Sequence, residues 1–303
     1  MKEELFFLSS DKETNIHMII SKPKQEPIGI IEMVHGITEH IMKYDEFMDY
    51  FTNEGYIVTG IDLIGHGMST NNGTKRLYFG GEGSWNYLIE DIKTSLLKVK
   101  ELYPNLKTTL IGFSLGSFIV RTFLYNNSNL VDNVVLAGTG YTNKFILKLA
   151  EQITKKESKK IGENVPSAKI HHLVFSTYNR SIKNPKTDFD WLLSDEEELK
   201  KYLNDDLIYD SVTPGLLREF IYGMKLSIDK KEIQKIRKDL RILFISGTED
   251  PVGNFTKGID KVEKIYKKTG INNITKIFMS NMRHDIFHEI DHKKTFAAIK
   301  EWI

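Results

Sequence analysis

The segment Thr108-Thr109-Leu110-Ile111-Gly112-Phe113-Ser114-Leu115-Gly116-Ser117-Phe118-Ile119-Val120 joins an apolar strand-like run, a tight G-x-S-x-G turn and an apolar helical run. A strand can pass into a helix that abruptly only through a sharp turn, which strains the backbone at the serine. Gly112 and Gly116 lack the Cβ atoms that would clash there, so the Ser114 hydroxyl is left exposed at the edge of a sheet. Three fixed positions have little specificity on their own. The flanking strand and helix give the pattern its meaning and disfavour a merely solvated serine on an ordinary loop.

The same alternation extends outward. Ile30–Val34, Tyr56–Ile61, Thr108–Gly112, Asn133–Ala137, Leu240–Ile245 and Ile274–Met279 are short runs, rich in β-branched residues and apolar on both faces. Such runs fit parallel strands covered by helices on both sides. Helical character follows over Tyr44–Asn53, Trp85–Tyr103, Leu115–Leu124 and Lys293–Trp302. Strand–helix alternation predicts an α/β fold with a doubly wound or related sheet. Leu5–Ser9 and Ile16–Ser21 surround a polar turn and predict an antiparallel edge hairpin. Between Tyr141 and Ser211 the alternation stops, and helical patterns surround the charge run Asp195-Glu196-Glu197-Glu198. The expected division is a core of residues 1–140 and 212–303, with 141–211 folded over the C-terminal strand ends, where open α/β sheets bind ligands.

Composition narrows the function classes. The chain has 303 residues, 40% hydrophobic and 27% charged, enough for a sizeable core. Its 42 Lys and Arg against 41 Asp and Glu give a net charge of +1, which offers no support for nucleic-acid binding. There are 0 cysteines, so disulfides, a thiolate nucleophile and Cys-ligated zinc are excluded. The first residues carry Glu3 and Glu4 where a signal peptide is basic, and no apolar run is long enough to cross a bilayer. The expectation is a soluble, cytoplasmic protein.

A serine hydroxyl becomes a good nucleophile only when a base takes its proton, and the base needs an orienting acid. With the serine on a strand–helix elbow, the partners follow in the order acid, then histidine. Asp250 follows the run ending at Ile245 and suits the acid. Glu249 is its rival, and Pro251, stiffening the turn, favours Asp250. His284, between the last strand-like run and the C-terminal helix, suits the base. Two backbone N–H groups must meet the carbonyl oxygen. Leu115 supplies one, and Ile37, in His35-Gly36-Ile37 after the run ending at Val34, supplies the other. His35 then shapes that loop. His284, His288 and His292 are spaced by four, as on one helix face, but lack an HExxH pattern. His288 and His292 are therefore read as surface-helix histidines, and no metal is expected.

With these residues in place, the chain resembles the monoacylglycerol lipase and lysophospholipase family of α/β hydrolases over nearly its whole length. The resemblance rests on His35-Gly36-Ile37-Thr38-Glu39-His40, Asp62-Leu63-Ile64-Gly65-His66-Gly67-Met68-Ser69, the elbow Gly112 to Gly116, and Arg283-His284-Asp285 with Glu289. Asp190–Asp195 and Tyr202–Asp206 look like that family's cap. The resemblance implies the α/β-hydrolase fold: a mostly parallel central sheet flanked by helices, with a helical cap. It also implies a Ser114, Asp250 and His284 triad, an oxyanion hole from Ile37 and Leu115, and a scaffold turn at Gly65-His66-Gly67. Its implied reaction is hydrolysis of small-molecule lipid esters such as monoacylglycerols or lysophospholipids through an acyl-enzyme on Ser114, with no cofactor. Thr38 departs from the family's usual glycine and bears on substrate size. Two other readings stay open: a short-chain carboxylesterase or serine aminopeptidase-like enzyme, and a hydrolase-like fold that only binds a ligand. The amphipathic segment Lys144–Ile153, continuing into Lys155, Lys156, Lys159 and Lys160, is expected to close its apolar stripe over the acyl pocket. Transient contact with an anionic lipid surface is the alternative.

Overall fold

A computed structural model describes residues 1–70, 73, 75–209 and 211–303. In chain order its elements are β1 (Lys2–Leu8), β2 (Asn15–Ser21), β3 (Gly29–Val34), α1 (Asp45–Asn53), β4 (Tyr56–Ile61), α2 (Trp85–Leu102), β5 (Thr108–Phe113), α3 (Leu115–Asn127) and β6 (Asn133–Ala137). There follow α4 (Lys144–Ile161), α5 (Ala168–Phe175), α6 (Glu196–Leu203), α7 (Pro214–Leu226), α8 (Lys230–Ile233), β7 (Arg241–Gly247), α9 (Lys257–Lys268), β8 (Ile274–Met279) and α10 (His292–Trp302). One eight-stranded sheet runs in the order β1-β2-β4-β3-β5-β6-β7-β8. The N-terminal hairpin pairs antiparallel, with Leu5 opposite Met18, and β2 pairs antiparallel with β4. Every later pairing is parallel.

The both-faced apolar runs are explained by what covers them. Successive strand side chains point to opposite faces. Ile31, Met33, Val58, Ile111, Val135 and Leu243 pack against Phe47 and Phe51 of α1 and Phe296 and Ile299 of α10. Their neighbours Ile30, Ile57, Leu110, Val134 and Ile242 face the other way, toward Leu88 and Ile92 of α2, Ile119 and Phe123 of α3, and Val262 of α9. This is the α/β sheet that the alternation predicted, mostly parallel and flanked by helices as the resemblance implied. Among the described residues, no helix is long and apolar enough to cross a membrane.

Between β6 and α7 the described residues form only helices and loops. Here one expectation is corrected. The apolar residues of α4 do not cover the pocket: Phe145, Ile146 and Leu149 are 75%, 57% and 56% exposed, while Leu147 turns inward. The inward side of α4 packs on α7 instead. That helix follows Thr213, whose hydroxyl accepts the Leu216 N–H at 3.1 Å, with Pro214 in the first turn, where its missing N–H costs nothing.

Candidate active site

Ser114 sits between β5 and α3 with φ 51° and ψ −117°, a conformation rarely adopted by a side-chain-bearing residue. The turn tolerates it because two glycines let backbone pass close by. A Cβ on Gly112 would lie 2.5 Å from the Gly116 carbonyl oxygen, and one on Gly116 would lie 2.2 Å from that of Val34. The Ser114 N–H donates to the Ala137 carbonyl at 3.0 Å, which pins the elbow to β6. Ser114 keeps 9% of its surface exposed.

The ends of β7 and β8 bring the other two residues to it. Asp250 is fully buried and accepts from the Ser246 hydroxyl at 2.9 Å and the Val252 N–H at 2.8 Å. Its Oδ1 lies 2.9 Å from His284 Nδ1, and His284 Nε2 lies 2.9 Å from Ser114 Oγ. A carboxylate only accepts, so the ring proton belongs on Nδ1 and Nε2 is left to accept the serine proton. Glu249, the rival acid, points into solvent.

Leu115 opens α3, and the first N–H groups of a helix have no acceptor within it. The loop after β3 lies directly against the serine: a Cβ on Gly36 would be 3.2 Å from Ser114 Cβ. That loop, carrying Ile37, is braced from both sides. The Leu63 N–H donates to His35 Nε2 at 3.0 Å, so Nδ1 holds the proton and donates to the Gly36 carbonyl at 2.7 Å. Burial lowers the His35 pKa and keeps the ring neutral, as that pattern needs. Glu39 Oε1 accepts the Gly36 N–H and the Tyr44 hydroxyl, each at 2.6 Å.

Lys43 links this loop to the histidine segment. Its ammonium pairs with Glu39 at 2.9 Å and with Asp285, the residue after His284. Burial opposes charge on all three groups. The Lys43 pairing overcomes it and holds Glu39 below its ordinary pKa, while His288 and Lys43 together hold Asp285 well below the usual carboxylate range. His288 is therefore no surface-helix histidine. It lies in a turn before α10, with Nδ1 2.9 Å from Asp285 and Nε2 2.9 Å from the Lys43 carbonyl. His292 opens α10, with Nε2 3.0 Å from Glu46, so the three histidines do not share a helix face.

The segment between β6 and α7 reaches over the serine. Trp191 stacks at a tilt on His284 with centroids 5.2 Å apart, and Tyr178 packs on Trp191. Arg283 Nη1 donates to the Asp190 and Leu193 carbonyls, both at 2.7 Å. Glu289 accepts the N–H groups of Arg283 and Ser194 at 2.8 and 3.1 Å. Above Ser114 is a cavity of about 20 Å³, walled by Thr38, Phe175, Phe189, Trp191, Leu192 and Tyr202. That is room for about one water. The reading of the sequence placed Trp191 and Tyr202 in the cap and Thr38 where it bears on substrate size, but it missed Lys43, the packing of Trp191 on His284 and the Thr38–Tyr202 contact. For Lys43 the local signal was Glu39, four residues away with opposite charge.

An eight-stranded, mostly parallel sheet with its nucleophile-type elbow after β5 places the protein among the α/β hydrolases. Within that class the chain belongs to the hydrolase family described as Serine aminopeptidase, S33, which matches residues 25–291. It is 22% identical over 290 residues to a monoglyceride lipase homolog of Monkeypox virus, covering 93% of this chain and 91% of the relative. It is 21% identical to the monoacylglycerol lipase of Mycolicibacterium smegmatis, over 93% of this chain and 90% of the relative. Among solved structures, a thermostable carboxyl esterase of Bacillus coagulans superposes with a TM-score of 0.89 at 24% identity, over 99% of this chain and 98% of the other.

Proposed function

We propose that the protein is a serine esterase that hydrolyses single-chain lipid esters, monoacylglycerols or lysophospholipids, through an acyl-enzyme on Ser114. The observation that carries this reading is the hydrogen-bonded line Ser114 Oγ, His284, Asp250, each step 2.9 Å, on a strained elbow. Ser114 attacks the ester carbonyl while His284 Nε2 takes its proton. The tetrahedral oxyanion is met by the Ile37 and Leu115 N–H groups. Collapse expels the alcohol, which receives the proton from His284. Water, deprotonated by the same histidine, then attacks the acyl-enzyme, and the acid leaves as Ser114 regains its proton. Asp250 holds the imidazole tautomer and stabilises the imidazolium. Apart from the substrate and the attacking water, every group in this reading belongs to the chain.

The lipid substrate is supported by the apolar wall of Phe175, Phe189, Trp191 and Leu192, and by the names of the relatives. We read 141–211 as the cap on a core of 1–140 and 212–303, and the protein as cytoplasmic. The outward Phe145, Ile146 and Leu149 beside Lys144 and Lys148 support transient contact of the cap with an anionic lipid surface. The family's description favours one other reading, cleavage of N-terminal peptide bonds. A series of glycerol and p-nitrophenyl esters of increasing acyl length, run beside aminoacyl amides, separates the two. A kcat/KM that rises with chain length and exceeds that for the amides is expected. Preference for the amides sinks the lipase assignment.

A further inference from the structure

The cavity above Ser114 admits about one water, so no ester reaches the serine until its roof moves. What holds the roof down nearest the serine is polar. Tyr202, on α6, and Thr38, on the loop after β3, place their hydroxyl oxygens 2.8 Å apart, and both side chains are buried. Thr38 Oγ1 is also 2.6 Å from the Ile37 carbonyl. A carbonyl only accepts, so the single Thr38 proton goes to Ile37 and the Tyr202 hydroxyl donates to Thr38. Burial pushes the Tyr202 phenol above its ordinary pKa, so it keeps the proton that it donates. The Tyr209 N–H donates to the Thr38 carbonyl at 3.2 Å, and His40 Nε2 lies 2.9 Å from Asp205. The segment 202–209 is thus tied to 38–40 at several points, and Thr38 is at the centre. Thr38 holds φ 67°, a conformation that β-branched residues seldom adopt.

We propose that Thr38 and Tyr202 form a polar latch across the mouth of the Ser114 pocket and so determine which esters gain entry, those with longer acyl chains needing the latch released more fully. The proposal rests on the reading of Ser114 as the nucleophile. A chain of two hydrogen bonds runs from the roof through Thr38 to the Ile37 carbonyl, so the groups reinforce one another while closed. Substrate entry breaks the outer bond and leaves the inner one in place.

The test compares wild type with Y202F, T38V, the double variant and T38S. Y202F and T38V each remove one hydroxyl and keep the shape; T38S keeps the hydroxyl. kcat/KM is measured for p-nitrophenyl acetate and decanoate below the micelle concentration, and Tm is recorded for each protein. A neutral hydrogen bond contributes a factor of about 2 to 10. Y202F and T38V are therefore each expected to raise the decanoate-to-acetate ratio of kcat/KM by about that factor. The double variant should resemble T38V, because T38V already removes the bond that Y202F removes, and T38S should stay near wild type. An unchanged ratio, multiplicative effects in the double variant, or T38S behaving like T38V overturns the latch. So does an equal fall for both esters, which would assign the pair to holding the oxyanion loop instead. Labelling of wild-type Ser114 by a small fluorophosphonate keeps the two claims apart. Labelling with an unchanged ratio defeats the latch alone, whereas no labelling defeats the nucleophile reading beneath it.

Discussion

Glu32 gives the sharpest prediction about stability. It lies in the middle of β3, paired with Thr59 on β4 and Leu110 on β5, and is fully buried. Among the described residues neither carboxyl oxygen has a hydrogen-bond partner at full geometry, and the nearby Ser95 hydroxyl on α2 only softens the effect. Burial therefore raises its pKa from 4.5 to about 8. A folded pKa above the unfolded one means that the folded state binds more protons between those values, so stability falls as pH rises through that window. The slope is about 1.4 kcal/mol per pH unit at full strength. Glu32→Gln removes the titration and adds an offset that does not change with pH. Urea unfolding of both proteins at pH 5.5 and 7.5 isolates the term, because Asp62, Glu39 and Asp285, whose pKa values are lowered, contribute equally to both. The stability difference should shift in favour of the Gln variant by about 2.5 kcal/mol between the two pH values. A shift below about 0.5 kcal/mol would falsify the claim that Glu32 is buried as a neutral acid.

Three further outcomes follow from the site. Lys43→Met leaves Glu39 and Asp285 buried without their shared cation and should cost about 3–5 kcal/mol in urea unfolding, with Lys43→Arg recovering most of it; a loss under 1 kcal/mol contradicts the network. Asp250→Asn keeps the shape but favours the wrong His284 tautomer, so kcat should fall by about 10⁴ in a steady-state ester assay. A fall under tenfold would remove Asp250 from its role. Gly116→Ala forces a Cβ to 2.2 Å from the Val34 carbonyl, so no folded protein is expected by circular dichroism; a native Tm would mean that the elbow is looser than described.

Much of the core was legible because buried parallel strands carry their signal in contiguous residues. Tyr56–Ile61, Asn133–Ala137 and Ile274–Met279 emerge with the boundaries read from the sequence. The helix α9 went unread although Ile259, Val262 and Tyr266 recur at helical spacing, because the Lys257–Lys268 segment around them is dominated by charge. The candidate triad was legible through the elbow, which has a local steric cause, and through the known order of its partners. The supports around it were not. Lys43 meets Asp285 across 242 residues and Thr38 meets Tyr202 across 164, distances at which no periodicity or propensity operates. His288 was misread for a different reason: spacing by four resembles a helix face, but the residue lies in the turn before α10. The stripe on α4 had the right amphipathic pattern, but pattern alone does not say which neighbour the apolar face meets, and α7 takes the inward side.

The central claim is that Ser114 is the nucleophile of an ester hydrolase. Its most direct test is intact-protein and peptide mass spectrometry after treatment with an alkyl fluorophosphonate, in parallel with ester turnover. One adduct is expected, on the peptide carrying Ser114, with turnover lost in step with labelling and neither seen in Ser114→Ala. Labelling elsewhere, or ester hydrolysis that persists in Ser114→Ala at the wild-type rate, would contradict it.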